Sequence, residues 1–215
     1  MGKCKYLTFD IIESKANEFL KKYNPALKIP VPVEEIIEFD LKLDIFPAPF
    51  LYKDHGISSF LTIDRKEIWV DQLQFEQYEQ KYRFSLAHET GHLILHNYII
   101  KEGYAIISKT GSSVSNYLEW LNTLTGLDIE QMDFQANRFA SYLLMPNPLL
   151  KNLFLKMYDS LISDPNFKDI ERPFLLEALV EELSKVFNVS PKSLSLRILN
   201  DPALNSILNK TLKNE

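Results

Sequence analysis

The chain has 215 residues, 46% of them hydrophobic, which is enough to bury one substantial core and a small appended lobe. Its 24 basic and 29 acidic side chains give a formal net charge of -5, so composition offers no electrostatic reason for binding nucleic acid or an anionic membrane. One cysteine, Cys4, excludes an internal disulfide; the sequence shows neither a signal peptide nor an apolar run of about 18 residues, and we expect a soluble, cytoplasmic protein.

The N-terminal part of the chain predicts one helix followed by a small sheet. Residues 10–23 have apolar side chains at helical spacing, and Asp10 and Glu13 are spaced as a capping box at the start of this helix. Three short segments that are apolar or alternate in polarity indicate strands: residues 43–46, 58–63 and 67–70. The polar residues 64–66 predict a hairpin turn between the last two strands. A strand edge near residues 56–60 would allow an extended peptide to add to the sheet.

The next predicted helix, residues 74–98, carries two histidines one helical turn apart with a glutamate between them. His88 and His92 lie about 40° apart around the helix axis and about 6 Å apart along it, so both can bind one metal ion. Glu89 is too close along the backbone for a third ligand but is well placed to take a proton from an attacking water molecule. Apolar neighbours predict that this helix is buried, where unpaired polar groups would be costly. The pattern indicates a zinc-dependent peptide hydrolase.

Similar residues also occur in iron sites. A di-iron site needs a second Glu-x-x-His pair in addition to Glu89 and His92, and the sequence has none. A mononuclear iron site with two histidines and one carboxylate is compatible with the sequence, but it leaves Glu89 without a role. His96 lies one further turn along the same predicted helix, about 40° and about 6 Å beyond His92, so we expect it to be structural rather than a ligand.

A separating segment and a second helix follow. Glycines and serines in residues 101–127 indicate loops around one short helix, and this insert can act either as a lid over a cleft or as a packing element. Residues 129–144 predict the second helix, on which Asp133 and Asn137 share one face. A catalytic zinc site takes three protein ligands, so one of these two side chains can reach the metal while the other orients a ligand histidine.

The last part of the chain predicts only helices, after a soft boundary in residues 159–173. Residues 175–187 and 191–199 are joined by a short turn and resemble a helix-turn-helix. Between residues 171 and 200, four acidic side chains balance four basic ones, whereas a helix that reads DNA normally carries a basic stripe. We therefore expect this region to serve in packing or protein recognition rather than in DNA contact.

Two stretches of the sequence resemble helices of the ImmA/IrrE-type metallopeptidases. Residues 83–96, RFSLAHETGHLILH, are similar to the active-site helix of that family. Residues 133–146, DFQANRFASYLLMP, are similar to its third-ligand helix and the turn that follows. Residues 29–37 resemble the family's short second helix more weakly, and the likeness extends from about residue 10 to about residue 200.

The resemblance implies an α+β, mostly helical, zincin-like fold. In such a fold a small β-sheet packs beside the helix that carries the two metal-binding histidines. We expect a metallopeptidase domain at residues 1–158 and a C-terminal helical, helix-turn-helix-like lobe at residues 159–215.

The resemblance also implies the residues of the site. These are His88, His92 and Asp133 as ligands of one Zn²⁺ ion, Glu89 as catalytic base, and Asn137 as the partner of a ligand histidine. The family has a glutamate at the position of Asp133, so Glu130 is the alternative third ligand. An oxyanion donor besides zinc is needed, and the available side chains are Tyr98, Tyr104 and Tyr142.

A substrate class follows from the resemblance alone. It implies a protease that cuts a helix-turn-helix repressor and so releases stress-response genes or the genes of a mobile element. The expected partner is thus a DNA-binding protein, and this chain is not expected to bind nucleic acid or a membrane itself. Two alternatives remain: a non-catalytic regulator that binds a repressor or another protein without cleavage, and a transcription factor acting through residues 175–199.

Overall fold

A computed structural model describes residues 3–107, 110–164 and 171–210, apart from the side chains of Arg172 and Lys210. The chain divides into two compact units, Met1–Leu143 and Leu144–Glu215. The predicted fold class is confirmed, since the structure is mostly helical with one small sheet. In the described residues no helix is both long and apolar enough to cross a membrane.

The first unit contains the sheet and eight of the described helices, the last of which ends at the boundary between the units. The helices are α1 (Phe9–Tyr23), α2 (Val33–Glu35), α3 (Leu51–His55), α4 (Gln72–Gln77), α5 (Glu79–Leu95), α6 (Asn97–Ile106), α7 (Ser113–Leu121) and α8 (Gly126–Leu144), and a π-helical stretch, Ile36–Asp40, continues α2. The strands are β1 (Asp44–Ala48), β2 (Ser59–Leu61) and β3 (Glu67–Asp71).

Helix α1 begins earlier than the sequence predicts. Thr8 is its N-cap, because the backbone of Thr8 is extended and its hydroxyl accepts a hydrogen bond from the Ile11 N–H. The predicted capping box of Asp10 and Glu13 is therefore wrong, and Asp10 instead lies in the first turn, where a negative charge is favoured. One face of the helix is buried, and Phe19 on that face contacts Phe139 of α8 edge to face at 6.1 Å.

The sheet has the strand order β1-β3-β2, with β1 parallel to β3 and β2 antiparallel to it. The predicted hairpin is confirmed, and Arg65 in its turn has a left-handed backbone with φ of 61°. Because β3 is central, β2 is an edge strand of the described sheet. Helix α5 packs against β2, which places this edge beside the two histidines of the motif.

The single helix predicted over residues 74–98 is divided into three. Tyr78 separates α4 from α5, and His96 separates α5 from α6; neither residue has helical backbone angles. The break at His96 leaves its ring fully buried, where it makes hydrogen bonds to side chains of α5 and α8. The assumption of a continuous helix through His96 was therefore wrong.

The second unit contains helices alone among its described residues. They are α9 (Asn147–Ser163), α10 (Arg172–Phe187), α11 (Pro191–Leu199) and α12 (Pro202–Lys210). The predicted pair α10 and α11 is confirmed: Asn188 ends α10 in a left-handed conformation, and the Ser190 hydroxyl caps α11. The predicted domain boundary after residue 158 stays a prediction; that position lies inside α9, and part of the proposed boundary segment, residues 165–170, lies outside the described residues.

Candidate metal centre

The site is built where α5 and α8 approach closely. Gly91 faces α8, and a Cβ atom at this position would lie 3.1 Å from Ala136 Cα and 3.2 Å from its carbonyl oxygen. A Cβ atom here would be in tight contact with α8, so glycine favours the short separation. This close approach explains how Asp133, although a methylene shorter than glutamate, reaches the histidines of α5.

Three ligand atoms converge between the two helices. The Nε2 atoms of His88 and His92 are 3.0 Å apart, and Asp133 Oδ1 lies 3.9 Å from the first and 3.5 Å from the second. Two ligand atoms on one tetrahedral zinc ion at about 2.0 to 2.1 Å are about 3.3 Å apart, close to these separations. The structure thus brings together the three predicted ligands in a group that can hold a metal ion. Two nitrogens and a carboxylate oxygen are also donors that zinc accepts.

Glu130 was the alternative third ligand. Its side chain is exposed, and it belongs neither to the cluster of possible ligands nor to the residues that line the adjoining cleft. Asp133 lies three residues further along α8, where its carboxylate faces both imidazoles. The geometry therefore favours Asp133.

His88 is held by Asn137, as the shared helix face predicted. Asn137 Oδ1 lies 3.0 Å from His88 Nδ1, so Nδ1 donates its proton there and Nε2 keeps a free lone pair. Burial, together with the charge of His92, lowers the pKa of His88. Both effects favour the neutral imidazole, which is the form that binds metal.

His92 has a different partner. Its Nδ1 lies 3.1 Å from Nδ1 of His96, whose Nε2 in turn lies 3.0 Å from Gln135 Oε1. The His96 ring is fully buried, and burial and the charge of His92 lower its pKa to about 3. His96 is outside the group of possible metal ligands, in agreement with the expectation from its position in the sequence.

Glu89 is buried beside the histidines and anchored to the edge strand. The Ser59 hydroxyl donates to Oε1 at 2.7 Å, and the Leu61 N–H donates to Oε2 at 2.9 Å. Both oxygens accept a hydrogen bond, which satisfies the carboxylate in its buried position and fixes its orientation. A carboxylate held in this way can act as a base with a defined direction.

A cleft of about 380 Å³ opens over these residues. Residues 56–59, which lead into β2, form one wall, and the three possible ligands, Glu89 and Asn137 lie along it. The insert of residues 101–127 also contributes, because Tyr117 of α7 lines the cleft and its ring stacks on Phe60 at 4.5 Å. Burial, and then the charges of Glu89 and Asp133, raise the pKa of Tyr117, so its hydroxyl stays protonated as a donor.

The three tyrosines named from the sequence as oxyanion donors do not line this cleft. Tyr98, for example, accepts a hydrogen bond from the Lys5 N–H through its hydroxyl. The patterns in the sequence did not indicate Tyr117, Ser59 or Gln135 as residues of the site. No spacing in the sequence relates Tyr117 or Ser59 to the motif, because each is brought to it by another element of the fold.

The comparison with protein families agrees with the site. The family model described as the IrrE N-terminal-like domain, of peptidase family M78, matches residues 40–199. This range includes the sheet and both helices that carry the three possible metal ligands. No curated protein matches the chain at a significant level. Since the family model covers most of the sequence, the chain belongs to the ImmA/IrrE family of peptidases.

Proposed function

We propose that this protein is a zinc-dependent endopeptidase. The observation that carries the proposal is the convergence of His88, His92 and Asp133 beside the buried, doubly hydrogen-bonded carboxylate of Glu89. Membership of a peptidase family supports the reaction class. The open cleft along the edge strand gives the space in which a peptide can lie.

Zinc fits the residues present. The hydrogen bonds on Nδ1 leave lone pairs on both Nε2 atoms, and these face each other and a carboxylate across 3.0 to 3.9 Å. Such a group of acceptors is mutually repulsive, and a bound cation relieves the repulsion. When bound, zinc supplies Lewis-acid polarisation of the scissile carbonyl and acidifies water. A mononuclear iron site would use the same three ligands, but the anchored carboxylate of Glu89 favours a hydrolytic site, since hydrolysis needs a base.

Glu89 serves as the general base and then as the general acid. Its carboxylate takes a proton from the attacking water and delivers it to the leaving amine nitrogen. Ser59 and the Leu61 N–H hold both oxygens, so the carboxylate cannot rotate away from the cleft. Among the side chains that line this cleft, Tyr117 is a donor that we assign to the developing oxyanion.

The substrate binds as an extended strand beside residues 56–59. These residues line the cleft and lead into the edge strand β2, so backbone groups are available to pair with a peptide. Hydrogen exchange tests this: a bound, uncleaved peptide should slow exchange of the amides at residues 56–60. Unchanged exchange there, with the peptide bound, would contradict this mode of binding.

A helix-turn-helix repressor is the proposed substrate, and its cleavage would release stress-response or mobile-element genes. The support is the resemblance of residues 83–96 and 133–146 to the ImmA/IrrE-type peptidases. The chain itself has a net charge of -5, which fits a protein that acts on a DNA-binding partner rather than on DNA. The cytoplasmic location predicted from composition is consistent with such a partner and stays a prediction.

Glu89→Gln is the variant that tests the proposal. Purified protein, loaded with zinc, is incubated with repressors encoded near its gene, with and without a chelator, and the fragments are identified by mass spectrometry. We expect cleavage by the unaltered protein, none with chelator, and a rate about 10²- to 10⁴-fold lower for the variant with zinc still bound. Glu130→Gln, a change of an exposed glutamate outside the cleft, should cleave normally.

The same experiment separates the enzyme from a non-catalytic regulator. A regulator would bind the repressor with the same affinity in both forms and release no fragments even when zinc is stoichiometric. Cleavage by Glu89→Gln at the normal rate with zinc bound would show that the proposed mechanism is wrong.

A further inference from the structure

A series of hydrogen bonds through the buried side chains of His96 and Gln135 links one metal-site histidine, His92, to the N-terminal segment. We infer that His96 is a positioning residue: it fixes the tautomer of His92, so that the Nε2 lone pair of His92 is free to bind the metal. The inference rests on the metal site of the proposed function, but it concerns residues outside the ligand set and has readouts that do not need peptidase activity.

The bond at the Lys5 end determines which atom donates at each step of this series of hydrogen bonds. The Lys5 carbonyl oxygen accepts a hydrogen bond from Gln135 Nε2 at 2.9 Å, and a carbonyl can only accept. The other end of the same amide, Oε1, therefore faces His96 Nε2 and must accept its proton. His96 then has a bare Nδ1, which accepts the Nδ1 proton of His92 across 3.1 Å.

The Lys5 carbonyl, which we call the anchor of this series, is itself held in place. The Cys4 N–H donates to Asp128 Oδ1 at 2.7 Å, and the Lys5 N–H donates to the Tyr98 hydroxyl at 2.9 Å. These bonds attach the N-terminal segment to α8 and α6, so the Lys5 carbonyl has a defined position beside Gln135. Residues 3–5 precede the range that the family model matches, which begins at residue 40, and the anchor is therefore outside that range.

Because the two linking side chains are buried, water cannot easily take the place of their hydrogen-bond partners. His96 is 0% exposed and Gln135 is 1% exposed. If the acceptor on His96 is removed, the Nδ1–H of His92 loses its partner on the side of the ring that faces the buried His96 position, and the tautomer with the proton on Nε2 becomes competitive. Partners of ligand histidines typically contribute 10- to 100-fold to metal affinity.

Nuclear magnetic resonance of protein with ¹⁵N-labelled histidine tests the tautomers directly. In the metal-free full chain we expect His96 to carry its proton on Nε2 and His92 to carry its proton on Nδ1. Adding zinc should shift Nε2 of His92 and leave the His96 tautomer unchanged. A His96 ring protonated on Nδ1, or on both nitrogens, would overturn the inference.

Two substitutions of similar size separate positioning from packing. In His96→Asn the side-chain oxygen can take the place of Nδ1 as acceptor, whereas His96→Leu offers no acceptor. We expect the leucine variant to lose about 10- to 100-fold in zinc affinity, measured by competition with a chromophoric chelator, and the asparagine variant to recover most of it. His55→Leu, at an exposed histidine, is the control and should bind zinc normally.

Each outcome has a defined meaning. Equal losses in the leucine and asparagine variants would show that His96 only fills space, and the inference would be wrong. If the leucine variant does not fold, as judged by circular dichroism, the tautomers of the unaltered protein decide. If the tautomers and the affinity difference are as expected but no peptide is cleaved, the proposed function fails while this inference stands.

Discussion

Two pairs of helices in this protein are held together by different kinds of contact. Where α5 packs against β2 and α8, the buried groups include Glu89, His96 and Gln135, and their hydrogen bonds join distant parts of the sequence. Between α10 and α11 the buried groups are mainly apolar, and the Ser190 cap is local to its own helix. Apolar contacts depend mainly on volume, whereas each buried polar group needs one particular partner.

The second unit also contains buried charge, but that charge is compensated within the unit. Arg197 and Asp201 lie one turn apart at 3.6 Å, each with a side chain 5% exposed, and Lys151 is 3.6 Å from the same carboxylate. In the first unit, by contrast, two imidazole lone pairs face a carboxylate, and no cation of the protein is among the three residues. Clustered polar groups therefore indicate function only where their own charges leave a site for an additional ion.

Removing one of the three possible ligands should lower the zinc affinity of the first unit more than any other change. For Asp133→Ala we expect zinc affinity to fall by more than about 100-fold, which is the upper range for partners of ligands, because one of three ligands is lost. Glu130→Ala is the matched change on the same helix and should leave affinity unaltered. Competition with a chelator measures both, and a loss with the second variant instead would assign the third ligand to Glu130.

Tyr117→Phe tests what the insert of residues 101–127 contributes to the site. The substitution keeps the ring that stacks on Phe60 and removes only the hydroxyl. We expect kcat to fall about 100-fold, with KM and zinc affinity little changed, because the oxyanion loses one donor. Steady-state kinetics on a cleavable peptide give the result, and Tyr104→Phe is the control. An unaltered kcat would mean that Tyr117 only forms a wall of the cleft.

Asn137 allows a milder test of the same site. Asn137→Leu has nearly the same shape but cannot accept the His88 Nδ1 proton, so we expect about a 10-fold loss of zinc affinity. Asn137→Asp keeps the acceptor and should retain affinity. If both variants bind zinc normally, the contact with His88 does not contribute to metal binding.

A change in the second unit should have the smallest effect and none on metal binding. Ser190→Ala removes the hydroxyl that accepts the Ser193 N–H, and we expect the free energy of unfolding to fall by about 1 kcal/mol. Lys192→Ala, at an exposed position of the same helix, serves as the control. Denaturant unfolding measures stability. A loss of zinc affinity in Ser190→Ala would contradict the contrast between the two helix pairs.

Local patterns in the sequence were sufficient for much of the fold. Helical spacing predicted α1, α8, α10 and α11, and alternation with a polar turn predicted the β2–β3 hairpin. Their ends were less predictable: Thr8 rather than Asp10 caps α1, and His96 interrupts the helix of the motif. Helix ends depend on which single side chain reaches a free backbone group, and several neighbours compete for that role.

The candidate site was likewise predictable only in part. Helical geometry alone places His88 and His92 on one face of a helix, and it places Asp133 and Asn137 on one face of another. That Asp133 is long enough depends on the closeness of α5 and α8 at Gly91, which is a property of packing. The Ser59 and Leu61 contacts with Glu89 likewise exist only because the edge strand lies against α5.

What the sequence by itself determined is the candidate chemistry: two imidazoles and a carboxylate at a spacing that the helix converts into a pair of possible metal ligands and a candidate base. What only the tertiary structure decided is how these groups are held and what completes the cleft. Tyr117 arrives from the insert, and the Lys5 carbonyl orients Gln135 across 130 residues of chain. The physical reason is that helical periodicity relates residues a few positions apart, whereas hydrogen bonds between distant segments depend on how those segments pack.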